Sequence, residues 1–121
     1  MHVFSNEHAA VSLLTVVHGF RCSWHSHDKR VNAFHVVTGC IVIEEYLDSG
    51  KIRKTKLTSG RSHIVASKIV HRFRVLESGN VVEVYYPQSA DDVVCLDDIH
   101  RVDVGGPDVV DKDHPNWMEI E

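Results

Sequence analysis

The stretch GFRCSWHSHDKRVNAFHVVTG, from Gly19 to Gly39, decides how the rest of the chain is read. It places His25 and His27 two residues apart in a segment that reads as strand, where side chains at i and i+2 share a face. The two imidazoles can therefore serve one point in space. A third nitrogen donor is available from His71, in the strand-like segment SKIVHRFRV of residues 67–75. Three imidazoles leave coordination positions open, as a reactive metal centre requires and a closed structural one does not. The chain holds ten histidines, and a pair at this spacing also fits imidazoles that simply hydrogen-bond in a core or on a surface.

Working outward, Phe20 to His27 reads as a strand. If His25 and His27 face inward, alternation puts Arg21 and Ser23 beside them and Cys22, Trp24 and Ser26 on the other face. An inward Arg21 is a candidate for holding a carboxylate or phosphate, the alternative being a rim arginine in a surface ion pair. Asp28-Lys29-Arg30 is a polar turn. Val31 to Thr38 then alternates as a strand with Asn32, Phe34 and Val36 on one face, which leaves His35 on the other.

Further strands are expected at Val11 to His18, Cys40 to Tyr46, Lys51 to Leu57, Ile69 to Leu76 and Val81 to Tyr86, with a short extended run from His63 to Ala66. Turn signals separate them at Gly19, at Gly39, and at residues 47–50, 58–60 and 77–80. The Lys51 to Leu57 segment carries charge on both faces and reads as an exposed edge guarded by lysines. Strands about ten residues apart with a turn after each indicate an all-β sandwich or barrel.

Charge divides the chain. Residues 1–90 hold eleven Lys and Arg against seven Asp and Glu, whereas residues 91–121 hold two against ten. The expected organisation is a β-barrel over residues 1–90 and an acidic C-terminal extension over 91–121, packed on the barrel or on a partner subunit. Residues 89–100 read as a short helix or a returning strand, and the remainder as irregular. The basic excess of the body is too small and scattered for nucleic acid. No apolar run is long enough to span a membrane and no signal-peptide pattern opens the chain. Three widely spaced cysteines, Cys22, Cys40 and Cys95, suit a reducing compartment, so a cytoplasmic protein is expected.

The order Gly19, five residues, His25, one residue, His27, four residues, Asn32, six residues, Gly39 resembles the first motif of the cupin family. That motif has Glu where this chain has Asn32. The segment Gly60 to Val75 resembles the second motif through Gly60 and His71, while Ala66, Lys68 and Val75 replace its Pro, Gly and Asn. The resemblance implies a jelly-roll barrel, or double-stranded β-helix, with an irregular acidic tail. It also implies a divalent transition metal, Zn, Fe, Mn or Ni, held by His25, His27 and His71. Asn32 stands at the position of the family's fourth ligand, where it can ligate weakly, hydrogen-bond a metal-bound water, or serve the barrel interior.

The implied function is a metal-dependent enzyme acting on a small polar or anionic molecule, of the sugar or sugar-phosphate isomerase or epimerase type. Three histidines without the Glu also resemble certain cupin iron dioxygenases, and other cupins bind small ligands without catalysis. Candidates for proton transfer are His63, Glu83 and Tyr85, with Arg21 for substrate. A homodimer is expected from the family's habit of pairing barrels.

Overall fold

The computed structural model describes residues 1–86 together with two short strands farther along the chain, Val94–Cys95 and Trp117–Ile120. The expectations for residues 89–100 and for an irregular acidic extension over 91–121 otherwise lie outside the described residues. Among these, the chain forms nine strands and no helix. They are β1 (His2–Ser5), β2 (Ala10–Val16), β3 (His25–Ser26), β4 (Val31–Tyr46), β5 (Ile52–Thr58), β6 (Ser62–Val65), β7 (His71–Tyr86), β8 (Val94–Cys95) and β9 (Trp117–Ile120).

The sheet runs β1-β2-β7-β4-β5-β9, with β3 joining β7 and β8, and β6 joining β4. Every pairing is antiparallel except the parallel β5–β9 pair. The frame is the pair β4 and β7, which lie against each other from Val31↔Tyr86 to Glu45↔His71.

Each of these two strands is 16 residues long, well beyond the usual five or six. The turns expected at Gly39 and at residues 77–80 are bends inside continuous strands. Register shifts between Val36 and Ile41 mark the bend. Gly39 has φ +90°, and a Cβ there would sit 2.7 Å from the Glu77 carbonyl oxygen. A Cβ at Gly79 would meet the Thr38 carbonyl oxygen at 2.1 Å. Only glycine lets the two backbones pass this closely while they bend together. Glycine is read correctly as a breaker here, but it breaks direction and not pairing.

The bend also changes which residues face inward. Before it β4 points Asn32, Phe34 and Val36 to the interior, and after it Ile41, Ile43 and Glu45, while His35 is exposed. The core comprises Val16, Phe34, Val36, Ile41, Ile43, Leu57, Val65, Val75 and Val81, each at most 5% exposed, with Leu14, Ile69 and Phe73 packed against it. Burial of each such aliphatic or aromatic side chain contributes about 1.5–3 kcal/mol.

Two further expectations are corrected. Lys51 to Leu57 is not an exposed edge, because β5 lies between β4 and β9. Its Lys54 is 6% exposed and pairs with Glu44 at 3.2 Å, so a charge that looked solvated is neutralised inside. Residues 20–24 are not a regular strand, since only the isolated bridge Arg21↔Arg74 holds them to β7. Strict alternation therefore fails across this segment. Cys22 faces a cavity that it shares with His25, whereas Arg21, 7% exposed, is held opposite Arg74.

Candidate metal centre

Three elements converge on one end of the barrel interior. His25 sits on β3 directly opposite His71, the first residue of β7, and His27 follows just beyond β3. The His25 ring lies 4.4 Å from the His71 ring and 5.1 Å from the His27 ring, centroid to centroid, and His27 and His71 are 5.4 Å apart. One ring nitrogen from each lies within 4.8 Å of the others. His27 and His71 are 4% and 2% exposed, and His25 is half-buried.

The backbone fixes the tautomers of two of the rings. His25 Nδ1 lies 2.7 Å from the Ser23 carbonyl oxygen, and His71 Nδ1 lies 2.8 Å from that of Ile69. A carbonyl oxygen only accepts, so each Nδ1 carries the hydrogen and each Nε2 keeps its lone pair. Such outer hydrogen bonds orient the ligating nitrogen of metal-site histidines. His71 Nε2 is buried and has no hydrogen-bond partner, an arrangement that costs free energy unless something occupies it. Burial first, and then the neighbouring charge of His25, push His71 down to about 4. At neutral pH its imidazole is therefore neutral, the form that binds a metal.

The turn that delivers His71 keeps a mark of the second motif. Lys68, where the motif has Gly, has φ +68°, and its backbone N–H donates to the His27 carbonyl oxygen at 2.6 Å. Lysine adopts this left-handed conformation at a steric cost that glycine does not incur.

Asn32 is 3% exposed on the inward face of β4. Its Nδ2 donates to Glu83 Oε2 at 2.5 Å, while its Oδ1 is buried without a hydrogen-bond partner. Glu83 and Tyr85 stand on β7 beside it, and with Ser12, Ser23, Arg30, His25 and His27 they line a cavity of about 370 Å³. Burial raises the Glu83 carboxyl above the ordinary carboxylate range, only partly offset by the Asn32 amide and Arg30. The Arg30 guanidinium lies 4.2 Å over the Tyr85 ring.

The candidates divide accordingly. Glu83, Tyr85 and Asn32 share a cavity with His25 and His27. Arg21 lines neither that cavity nor the apolar one beside it. His63 borders a different cavity, with Arg53 and Arg61, and its Nε2 is 2.8 Å from Glu45 Oε1, which Arg53 also contacts at 3.3 Å. Sequence reasoning missed Arg30, assigned to a turn, and Ser12. The signal for Ser12 was present, since it is a polar residue on the inward face of β2 in line with Leu14 and Val16.

Three orthogonal observations fit these residues to a divalent transition ion: the lone pair left on His71, the backbone-fixed tautomers of His25 and His71, and a donor set of soft-to-borderline imidazoles. The class that fold and cluster define is a cupin-type double-stranded β-helix barrel with a three-histidine centre. Solved structures of that fold superpose on the chain. KdgF from Halomonas sp. does so with TM-score 0.65 at 18% identity, over 75% of this chain and 79% of that one. An RmlC-like cupin from Shewanella frigidimarina gives 0.63 at 20% identity, over 74% and 76%. Oxalate decarboxylase from Bacillus subtilis gives 0.66 at 16% identity, over 78% of this chain but only 25% of that one. No protein-family model matches the chain, and no curated protein matches its sequence.

Proposed function

We propose that the chain is a metal-dependent enzyme that moves a proton within a small polar or anionic molecule, as isomerases and epimerases of the cupin fold do. The observation that carries this reading is Glu83: a half-buried carboxyl in the same cavity as His25 and His27, its pKa raised by burial. A carboxyl held partly out of water in a polar cavity is suited to general acid–base work. An ion at His25, His27 and His71, with Asn32 Oδ1 as a weak additional donor, would supply Lewis acidity toward a substrate carbonyl. Zn, Fe, Mn and Ni all suit the donor set; the similar oxalate decarboxylase is described as having Mn(II) centres.

The chain's own groups account for the proton. Glu83 takes it from the hydroxyl-bearing carbon beside the carbonyl and returns it to the former carbonyl carbon, while the hydroxyl proton passes to the former carbonyl oxygen, so that no redox partner is needed. The Asn32 amide fixes the carboxyl through Oε2. Arg30 and Tyr85 hold an anionic or hydroxyl group at the far wall of the cavity. The test is deuterium exchange from solvent into a 2-hydroxy aldehyde or ketone phosphate, followed by NMR. Glu83→Gln is expected to slow exchange by about 10²–10⁴-fold at unchanged metal content; equal exchange in both proteins contradicts the role.

Asn32 favours a second reading. With an amide at the position of the motif's Glu, the centre has three neutral ligands, the set shared by the cupin dioxygenases noted above. Oxygen uptake that depends on iron selects that reading over proton transfer. The reading includes a cytoplasmic homodimer.

A further inference from the structure

The histidine centre opens onto a second cavity of opposite character. This cavity, about 460 Å³, shares His25 and Glu83 with the polar one, but its other walls are dominated by Leu14, Val16, Phe20, Phe34 and Phe73. Its volume lies within the range of small-molecule pockets, roughly 300–1,000 Å³.

The change in polarity occurs at one level on adjacent strands. Across the sheet, Asn32 pairs with Tyr85, and Glu83 pairs with both Ser12 and Phe34. On the polar side of the Glu83 row stand Asn32 and Tyr85. On the other side stand Leu14 on β2 and Val81 on β7, followed by Val16 at the end of β2. Phe73 lies 6.0 Å from Phe34 and 6.1 Å from Phe20, ring to ring, so three aromatic side chains line the apolar part. Phe20, 47% exposed, stands at its lip. Cys22 adds no charge there: burial pushes its thiol up to about 11, and its Sγ accepts the Phe73 N–H at 3.2 Å. Glu83 is the charged group where the two cavities meet.

We infer that the molecule bound at the three-histidine centre is an amphiphile, with a carbonyl or carboxylate head in the polar cavity toward His25 and Arg30 and a hydrocarbon body lying against Leu14, Phe34 and Phe73. This rests on the metal-centre reading for the head but not for the body. A wholly polar ligand such as a free sugar phosphate fills the polar cavity and leaves the apolar one in contact with water, an unfavourable arrangement for so much apolar surface. An amphiphile satisfies both.

Calorimetric titration with straight-chain 2-oxo acids, from pyruvate to 2-oxooctanoate, tests the inference on the full chain, metal-loaded and metal-stripped. Affinity is expected to rise about fourfold per added methylene until the cavity is full. Leu14→Trp, which narrows the apolar cavity, is expected to flatten the series. Phe20→Ala, at the half-exposed lip, is expected to weaken only the longer members. Affinity independent of chain length, or failure of 2-oxooctanoate to bind, overturns the inference. The methylene increment in a protein that takes up no metal even after ions are added back contradicts the metal reading alone. Metal present without the increment contradicts this inference alone.

Discussion

The two faces of β4 and β7 treat buried polar groups in opposite ways. On the outer face Glu44, 2% exposed, receives Arg72 at 2.7 Å, Lys54 at 3.2 Å and Arg74 at 3.4 Å, and Arg72 in turn lies 4.5 Å over the Trp24 ring. One residue away on each strand, the inner face carries Glu45 and His71. Glu45 is taken up by His63 and Arg53, but His71 Nε2 is left with a lone pair and no partner. The two carboxylates are each met by cations, whereas the His71 lone pair is open to a ligand. Because strand side chains alternate, a step of one residue separates the two roles.

The sharpest way to break this comparison is at the hub of the outer network. Glu44→Gln removes the carboxylate that faces Lys54, Arg72 and Arg74, and is expected to cost about 3–5 kcal/mol in urea unfolding while metal content in the folded protein stays unchanged. Loss of metal in folded Glu44→Gln would show that the two faces are not independent. The same pair of proteins carries a pH signature. Burial raises the Glu44 carboxyl, but Arg72, Arg74 and Lys54 outweigh it and hold the group below its ordinary value. Its ion pairs therefore stabilise the fold above the unfolded-state carboxylate pKa, and that contribution is lost as pH falls through the lower folded value. The stability gap between wild type and Glu44→Gln should narrow in acid; a gap constant with pH would contradict the ion-pair account. The smallest effect is expected at Lys68, where Gly relieves the left-handed backbone of the turn before His71. Lys68→Gly should gain about 1 kcal/mol without altering metal content, and a loss of stability would show that the lysine side chain supports the turn.

Much of this arrangement is legible in the chain. The i, i+2 spacing of His25 and His27 and the alternation of Asn32, Phe34 and Val36 are local properties of strands, so they survive folding. What failed to show was non-local. Gly39 and Gly79 read as turn residues one at a time; that they face each other across a bend becomes visible only in the pairing of β4 with β7. Lys54 looked solvated because its partner Glu44 stands across the β4–β5 pairing, and Arg72 and Arg74, which share that carboxylate, lie far along the chain on β7. Arg21 was placed by extrapolating alternation through residues that have one bridge and no ladder. The short β1 carries no strong apolar pattern, and all four of its residues are exposed.

Metal content decides the central claim most directly. Wild-type protein purified without chelator would be compared by elemental analysis with His71→Ala and His35→Ala, the latter removing an exposed histidine whose Nδ1 lies 2.6 Å from Ser62 Oγ. Near-stoichiometric divalent metal is expected in wild type and in His35→Ala, and a loss of at least about tenfold in His71→Ala. Equal metal in the two variants, or none in wild type after ions are added back, would contradict that claim.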